Sequence, residues 1–433
     1  MERRRFVGSL GSAMGGALLT GSGRLPDDVT RSYGDLADAL ADIPDQEEDR
    51  YWELIRSQFL FPEDYHYLNT GGLGSSPWSV INRMKEMSDR EDARPNAGHD
   101  LNHWRETKEM AAELLGPRCR QEELAFTSTA TEGINIILNG LPLERGDEII
   151  TSTHEHPALN TPLINLAHRK GVVVRTFEPD LERGENNVRE IEQIFTRRTR
   201  LIFISHLTCT TGQFFPVKEI GAFARSWGLW YALDGVQAIG AGPIDVREID
   251  VDFYAVSGHK WMLGPRRTGI LYVKEERLDE LTPTVVGTYS DQKQDLATMT
   301  LEFQPTAQRY EFGTQNDALF YGLAEATGFV STIGVERIRD HNRRLSELFV
   351  AGLNSIPGAT VLSPAEEQYR SAMITFRLEN MPYREVTAAL GRKGFRVRPV
   401  GEVGLDAVRV SFHIYNNESE VEGVLDEIRT ITE

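Results

Sequence analysis

A lysine at the end of an apolar run is the first group in this sequence that could do chemistry. It lies in DFYAVSGHKWMLGPRRTGILYV, residues 252–273, where a predicted strand over 253–256 ends shortly before His259 and Lys260. A lysine taken alone more often lies on a solvated face, and that interpretation stays open at this point. Functional side chains in α/β proteins are also found at strand ends. The residues at the other predicted strand ends therefore have to show whether Lys260 is a surface residue or a functional one.

Hydroxyl side chains precede a predicted helix in FTSTATEGINIIL, residues 126–138. Serine and threonine residues between positions 127 and 131 stand directly before the apolar helical positions, so hydroxyl and free backbone N–H groups meet at a helix N-terminus. Such a terminus binds phosphate readily. A plain Ser or Thr N-cap has the same pattern, so this stretch alone leaves both interpretations open.

Histidines and a carboxylate follow two further predicted strands. The segment TSTHEHPALN places His154 and His156 after one strand, and YALDGVQAIG places Asp234 after the next, with Gln237 three positions later. A carboxylate at the end of a buried strand needs a cationic partner or good hydrogen-bond donors. We expect a helix-free crossover or a hairpin to bring Asp234 close to Lys260.

Together these groups provide what pyridoxal 5′-phosphate (PLP) requires. A lysine forms the Schiff base, an acid keeps the pyridine nitrogen protonated, and the phosphate sits on a helix terminus. Two alternatives remain. A cofactor-free protein that binds phosphate esters would leave Lys260 and Asp234 without a joint role, and a non-catalytic protein that retains the cofactor fold would not need both groups intact.

Short apolar runs alternate with helical patterns through the first part of the chain. The runs cover residues 124–127, 148–152, 172–176, 201–205, 229–233 and 253–256. Nearly continuous apolar runs of this length are typical of strands buried on both faces of a parallel sheet. The sequence therefore predicts an α/β, doubly wound architecture, in which the carboxyl ends of the strands form one ligand-binding crevice.

The pattern changes after about residue 320. A long amphipathic helix is followed by strand candidates near residues 373–378 and 395–398 and by a closing helix, which predicts a smaller α+β lobe. We expect four segments: 1–25 as an export signal or disordered tail, 26–70 as a helical segment, 71–310 as the large cofactor-binding domain, and 311–433 as the small domain.

The overall composition excludes several classes of protein. The 433 residues carry 47 basic and 65 acidic side chains, a net charge of −18, which disfavours nucleic acid and anionic membrane surfaces as partners. The two cysteines, Cys119 and Cys209, form no CxxC motif and no zinc-type cluster with histidine. We therefore expect neither a disulfide framework nor a metal site.

The N-terminal stretch MERRRFVGSLGSAMGGALLTGSG differs from the rest of the chain. Arg3 and Arg4 precede Phe6 and a weakly apolar segment, a pattern that resembles a twin-arginine export signal. A basic disordered tail is the alternative, in which case the protein would stay in the cytoplasm. The segment is too short and too rich in glycine to predict a membrane span.

These motifs are similar to those of a known family. From YLNTGGLG, residues 67–74, to RVSFHIYNNESEVEGVL, residues 409–425, the chain resembles the class V aminotransferase family of fold-type I PLP enzymes. Within this family, the chain resembles members described as isopenicillin N epimerase-like, which are related to the cysteine desulfurases. The resemblance implies a fold-type I PLP-dependent transferase fold, with a mostly parallel sheet in the large domain and a smaller α+β C-terminal domain.

The resemblance also assigns roles to individual residues. It makes Lys260 the Schiff-base lysine, Asp234 the partner of the pyridine nitrogen, and His156 the ring that stacks on the cofactor. The remaining assignments are Ala130, Thr131, Ser257 and His259 as phosphate ligands, Gln237 as a contact of the ring oxygen, Gly313 and Thr314 as phosphate contacts from a second subunit of a homodimer, and Gly71, Arg398 and Arg409 on the substrate side.

The sequence departs from the family pattern at two places. Cys209 stands where many relatives have an asparagine that donates to the ring oxygen, and a thiol is a weaker donor. The desulfurases also need a mobile cysteine after the strand that carries Arg398, and PVGEVGLDA contains none. We therefore expect transaminase-type or epimerase-type chemistry on an amino acid, with a PLP-dependent lyase of a sulfur-containing or other amino acid as the alternative.

Overall fold

The computed structural model describes residues 29–44, 46–95 and 98–432. The predicted export signal, residues 1–25, lies outside them. The helices are α1 Tyr33–Ala41, α2 Glu48–Ser57, α3 Trp78–Ala93, α4 Leu101–Leu114, α5 Ala130–Gly140, α6 Pro157–Lys170, α7 Asn186–Ile194, α8 Val217–Ser226, α9 Val246–Ile249, α10 Asp317–Ile333, α11 Val335–Asn354, α12 Tyr383–Arg392 and α13 Glu418–Thr432. The strands are β1 His66–Tyr67, β2 Leu124–Thr127, β3 Glu148–Ser152, β4 Val173–Phe177, β5 Thr199–Ser205, β6 Trp230–Asp234, β7 Phe253–Ser257, β8 Gly269–Val273, β9 Asp291–Asp295, β10 Thr300–Phe303, β11 Ala359–Val361, β12 Met373–Leu378, β13 Phe395–Arg396, β14 Arg398–Val400 and β15 Ala407–Ser411.

A seven-stranded sheet forms the centre of the large lobe. Its strand order is β2-β8-β7-β6-β5-β3-β4, and every strand is parallel to the others except β8, which pairs antiparallel with β2 and β7. All residues of β2, β3, β7 and β8 are buried, as continuous apolar runs predict for a sheet covered on both faces. The six predicted runs lie within two residues of the observed strands. The mostly parallel α/β fold is thus confirmed.

The connection between Asp234 and Lys260 differs from the expectation. Strands β6 and β7 are parallel, so a hairpin cannot join them, and the crossover contains the short helix α9. The Asp245 side chain begins this helix by accepting hydrogen bonds from the backbone N–H groups of Arg247 and Glu248. The prediction of a helix-free connection was therefore wrong, because the four-residue helix is too short to show apolar periodicity.

The small lobe is an antiparallel sheet covered by helices. Its strand order is β11-β12-β15-β14, and its core includes Phe349 of α11, Phe376 of β12 and Phe412 after β15. The two-residue strand β1 from the N-terminal part of the chain pairs with β13, so the lobe includes residues from both ends of the chain. Helix α10 packs on α3 and α4 of the large lobe. The domain boundaries at residues 71 and 311 stay a prediction.

Helices α10 and α11 follow each other along the chain, α10 packed on the large lobe and α11 in the small lobe. Among the residues described, no single helix has the length and apolar character needed to cross a membrane; α10 and α11 reach that threshold only as a pair bent by 73°.

Candidate active site

A cavity of about 280 Å³ lies where the carboxyl ends of β5, β6 and β7 meet the N-terminus of α5. Side chains from all four predicted strand ends line it. The predicted residues among them are Ala130, Thr131, His156, Asp234, Gln237, Ser257, His259 and Lys260, joined by Cys209. The crevice expected at one edge of a parallel sheet is thus formed by the residues that the motifs indicated.

Lys260 follows β7 after the tight turn at Ser257 and Gly258. The neighbouring chain comes very close here: the Gly74 N–H donates to the His259 carbonyl at 2.9 Å, and a Cβ on Gly74 would lie 1.9 Å from the Lys260 oxygen. Burial lowers the pKa of Lys260 from 10.5 to about 8, against the opposing effects of Cys209 and Asp234. The amine therefore exists in both protonation states near neutral pH.

Asp234 ends β6 and is 6% exposed. Its Oδ1 accepts a hydrogen bond from the Val236 N–H at 3.0 Å, and burial raises its pKa despite this bond and the nearby Lys260 charge. The charge of this buried carboxylate is stabilised by only one hydrogen bond and one nearby cation. A cationic N–H donor would therefore bind to it favourably. A protonated pyridine nitrogen would be such a partner.

Hydrogen-bond donors gather at the opposite end of the cavity. Helix α5 begins at Ala130, whose N–H donates to Ser257 Oγ at 3.0 Å, and Thr129 caps the helix. His259 Nδ1 is buried without a hydrogen-bond partner among the described residues. A helix N-terminus, a hydroxyl and an unpartnered imidazole nitrogen together suit a phosphate group.

His156 lies at the N-terminus of α6, where its Nδ1 accepts a hydrogen bond from the Ala158 N–H at 3.1 Å. This bond fixes the orientation of the ring. Burial, followed by the charge of Lys260, lowers the pKa of His156 to about 4, so the ring is neutral at physiological pH. A neutral, fixed imidazole can stack on an aromatic cofactor.

Gln237 lines the cavity and is anchored at both ends of its amide. Its nitrogen donates to the Gly71 carbonyl at 2.9 Å, and its oxygen accepts from the Trp261 indole at 2.8 Å. The amide nitrogen carries a second hydrogen, which remains available for a ring oxygen. Gly71 itself is not among the described lining residues, whereas its neighbour Gly72 is.

Neither of the two arginines predicted for the substrate side is among the described residues that line this cavity. Arg409 is fully buried; its guanidinium donates to the Cys209 carbonyl and, at 3.2 Å, to Asn69 Oδ1, while its Nε has no partner among the described residues. Burial, followed by the charge of Arg398, lowers the pKa of Arg409 to about 9. Arg398 is partly exposed and pairs with Glu402.

Gly313 and Thr314 do not line this cavity in their own chain. They precede α10, and the Gly313 carbonyl lies 3.1 Å from the ring of His99. The assignment of these two residues to a second subunit therefore stays a prediction. No group of three or more His, Cys, Asp or Glu side chains in the described part of the chain could hold a metal ion.

Glu155 is a buried acid that the sequence analysis did not single out. It accepts hydrogen bonds from the hydroxyls of Ser152 and Ser205 and, at 3.1 Å, from the Ser205 N–H, so it fixes the end of β5 beside Asp234. Burial raises the pKa of Glu155 from 4.5 to about 7. Glu155 lies three residues after the predicted strand 148–152, and nothing in the linear pattern distinguishes it from a surface acid.

The residues present fit PLP. Lys260 supplies an amine of suitable pKa, Asp234 an under-compensated acid, His156 a fixed neutral ring, and the α5 terminus a set of phosphate donors. The thiol of Cys209, whose pKa is raised by burial, faces the same cavity.

Comparisons with known proteins support PLP as the cofactor. The aminotransferase class-V family matches residues 66–424. A protein described as a probable cysteine desulfurase, from Methanothermobacter thermautotrophicus, is 31% identical over 389 residues, which are 86% of this chain and 95% of that protein.

Solved structures show the same similarity. The apo cysteine desulfurase of Thermococcus onnurineus has a TM-score of 0.80 and 25% identity, covering 88% of this chain and 98% of its own. The cystine C–S lyase C-DES, in complex with its reaction product cysteine persulfide, has a TM-score of 0.77 and 26% identity, covering 84% and 97%. A variant of C-DES holds glycine covalently linked to PLP; its TM-score is 0.79, at 26% identity and coverages of 86% and 98%.

The raised pKa of Glu155 predicts a specific pH dependence of stability. Between pH 4.5 and 7 the unfolded chain ionises Glu155 while the folded chain keeps its proton, so rising pH removes stability across this window. In Glu155→Gln the side chain is neutral at every pH, so this loss of stability with rising pH does not occur. Relative to the parent, we expect the variant to gain about 2.5 kcal/mol in the free energy of unfolding from pH 5 to pH 8.

Melting temperatures of the parent and Glu155→Gln at pH 5, 6, 7 and 8 measure this gain. Glu182→Gln, at an exposed acid, is the matched control and should follow the parent. A constant difference between parent and Glu155→Gln at all four pH values would contradict the assigned pKa.

Proposed function

This chain belongs to the aminotransferase class-V family, and we propose that it is a lyase that cleaves the C–S bond of a sulfur-containing amino acid, with the sulfur leaving on a small molecule. It is a PLP-dependent enzyme, as the family match and the neighbouring structure with covalently linked PLP indicate. The names of the relatives support the sulfur chemistry: cysteine desulfurases by sequence, and a cystine C–S lyase by structure. They support this alternative better than the transaminase or epimerase chemistry that the sequence favoured.

The second part of the proposal, that sulfur leaves on a small molecule, rests on the absence of a cysteine after the strand of Arg398. Residues 401–406 are Gly-Glu-Val-Gly-Leu-Asp, and Glu402 pairs with Arg398. No thiol is available there to accept sulfur from a substrate. A product that leaves as a free persulfide needs no enzyme cysteine, which is consistent with the product in the C-DES complex.

Lys260 is the group that moves the substrate proton. PLP, when bound, withdraws electrons from the substrate carbon that carries the amine. A lysine with a pKa of about 8 can take the proton from that carbon and carry it at Nζ at neutral pH. Loss of the proton allows the Cβ–S bond to break, the electron pair leaving with sulfur.

Asp234 and His156 keep the reacting groups in place. With PLP bound, the Asp234 carboxylate would keep the pyridine nitrogen protonated, because a buried charge of this kind is stabilised by a cationic N–H donor. The hydrogen bond from the Ala158 N–H to His156 Nδ1 fixes the neutral imidazole, which would contact the cofactor ring. For cystine, water then converts the remaining three-carbon fragment to pyruvate and ammonia, and cysteine persulfide is the sulfur product.

Incubating the holoenzyme with cystine tests the proposed reaction. We expect pyruvate and cysteine persulfide in equal amounts, the persulfide detected as its alkylated derivative by mass spectrometry. Lys260→Ala should produce no pyruvate and retain no cofactor covalently after borohydride reduction, since the amine is lost. Cys209→Ser should retain most of the pyruvate yield, as Cys119→Ser, at a cysteine outside the cavity, should also do.

Other products would overturn the proposal. Alanine from cysteine, with a persulfide on Cys209, would show a desulfurase. A pyridoxamine form or exchange of the α-proton without pyruvate would show a transaminase or an epimerase.

The guanidinium of Arg409 is the proposed site of the substrate carboxylate. It is buried, remains protonated at neutral pH with a pKa of about 9, and has an unpartnered Nε. We expect Arg409→Lys to raise KM for cystine by roughly tenfold to a hundredfold, because a lysine cannot replace a two-point contact. Arg398→Lys, at the partly exposed ion pair with Glu402, is the control. A rise in KM with Arg398→Lys alone would transfer the role to Arg398.

We further propose that the enzyme is a homodimer with shared active sites. The hairpin of β9 and β10 exposes Leu296 and Met299 at 82% and 81%, and its base bonds to the segment of Gly313 through the Thr288 carbonyl at 3.0 Å. Apolar side chains this exposed favour burial against a second copy. Light scattering should show a dimer for the parent and a monomer for Leu296→Asp combined with Met299→Asp. A monomeric parent would contradict the proposal.

Export by the twin-arginine route is also a proposal, and it rests on Arg3 and Arg4 before Phe6. Replacing both arginines by lysine should retain the protein in the cytoplasm. Equal distribution of the variant and the parent between cell fractions would leave the segment as a basic tail.

A further inference from the structure

A second cavity, of about 820 Å³, lies between the two lobes. The large lobe contributes His206 after β5, the segment 214–219 at the start of α8, and residues 241–244. The small lobe contributes one face of α11 and the segment 367–372. The two cavities share none of the described lining residues, so this space is separate from the site around Lys260. Its volume is within the range of small-molecule sites.

One wall of this inter-lobe cavity is apolar. Phe214, Phe215 and Val217 line it from the large lobe, together with Pro243 and Ile244. Phe215 and Val217 are buried in the core, so the wall is held rigidly, whereas Pro243 at the opening is exposed. Such a wall suits an aromatic ring or a branched hydrocarbon.

The rim of the cavity carries an excess of cations. The basic lining residues are Lys218, Arg339, Arg343 and Arg370, and the acidic ones are Glu219 and Glu367. Arg339 and Arg343 lie one turn apart on α11, and their own ion pairs, with Asp340 at 2.9 Å and Glu347 at 3.7 Å, are about half exposed. Exposed pairs of this kind contribute little, so both guanidinium groups can turn to a bound anion.

Two polar side chains that line the cavity are buried. Asn342, between the two arginines on α11, is 2% exposed; its nitrogen contacts His413 Nδ1 at 3.3 Å, and its Oδ1 has no partner among the described residues. His206 contacts the Tyr254 hydroxyl through Nδ1 at 2.8 Å, and burial keeps the ring neutral by lowering its pKa to about 4. A buried amide oxygen without a partner points to a ligand that donates a hydrogen bond.

We propose that this cavity is a binding site for an amphipathic organic anion: a ring or branched hydrocarbon that bears a carboxylate or sulfonate and a hydrogen-bond donor. The apolar wall takes the hydrocarbon, Arg339 and Arg343 take the anionic group, and Asn342 accepts from the donor. Because residues of both lobes line the cavity, the ligand contacts both lobes at once. The proposal does not depend on the reaction at Lys260.

The fluorescent probe 8-anilinonaphthalene-1-sulfonate has these features, namely two aromatic parts, a sulfonate and an N–H. Titration of the holoenzyme should show saturable binding of one probe per chain. Arg343→Gln should raise the dissociation constant about tenfold, as expected for a lost charge-assisted contact. Arg344→Gln is the matched control, because Arg344 is the next residue on the same helix, pairs with Glu418 and does not line the cavity.

Two further measurements locate the probe and test its charge. Ala241→Trp fills the cavity and should abolish binding while the absorption spectrum of the bound cofactor stays unchanged. 1-Naphthoate should displace the probe, and the uncharged 1-naphthalenemethanol at equal concentration should not. Equal effects of Arg343→Gln and Arg344→Gln, full binding by Ala241→Trp, displacement by cystine, or equal displacement by the two naphthalenes would each overturn the proposal.

Discussion

Burial of ionisable groups at the carboxyl ends of β5, β6 and β7 is the constraint on which this active site depends. Removal from water raises the pKa values of Asp234 and Glu155 and lowers that of Lys260 to about 8. In water an aspartate is always ionised and a lysine always protonated near pH 7. The sheet therefore converts ordinary side chains into an amine that can exchange protons and an acid that needs a cationic partner.

The small lobe completes the site by holding one loop of the large lobe. Backbone carbonyls of residues 210–212 accept hydrogen bonds from hydroxyls of the small lobe: Ser363 to Thr211 at 2.6 Å, Ser371 to Gly212 at 2.9 Å and Thr375 to Thr210 at 2.6 Å. The guanidinium of Arg409 donates to the carbonyl of the preceding residue, Cys209. The proposed carboxylate site at Arg409 and the cavity-lining thiol of Cys209 are thus fixed by the same contact between lobes.

Sulfur chemistry without a loop cysteine is consistent with this arrangement. Burial raises the pKa of Cys209, which disfavours the thiolate that a sulfur acceptor must be, and residues 401–406 contain no other thiol. Instead, Glu402 and Arg398 form an ion pair there. Release of a persulfide as a free product requires an activated substrate and a proton carrier. Asp234 lies where it could help to activate the substrate through the cofactor, and Lys260 lies where it could carry the proton.

The sequence by itself determined the order of strands and helices, and with it the residues at the strand ends. Apolar runs reflect local burial on two sheet faces, and a strand end is a local property, so Lys260, Asp234 and His156 could be identified before any coordinates. The roles of Gln237, Ser257 and His259 followed from the family resemblance, and the structure places all three at the same cavity.

Only the tertiary structure decided which polar groups lose contact with water. Glu155 and Arg409 look like surface residues in the sequence, and their burial arises from packing between segments that are distant in the chain. The inter-lobe cavity has the same origin, since its residues come from segments 206–244 and 339–372. Desolvation is set by the sum of all neighbours in space, and a linear pattern of residues contains only the neighbours along the chain.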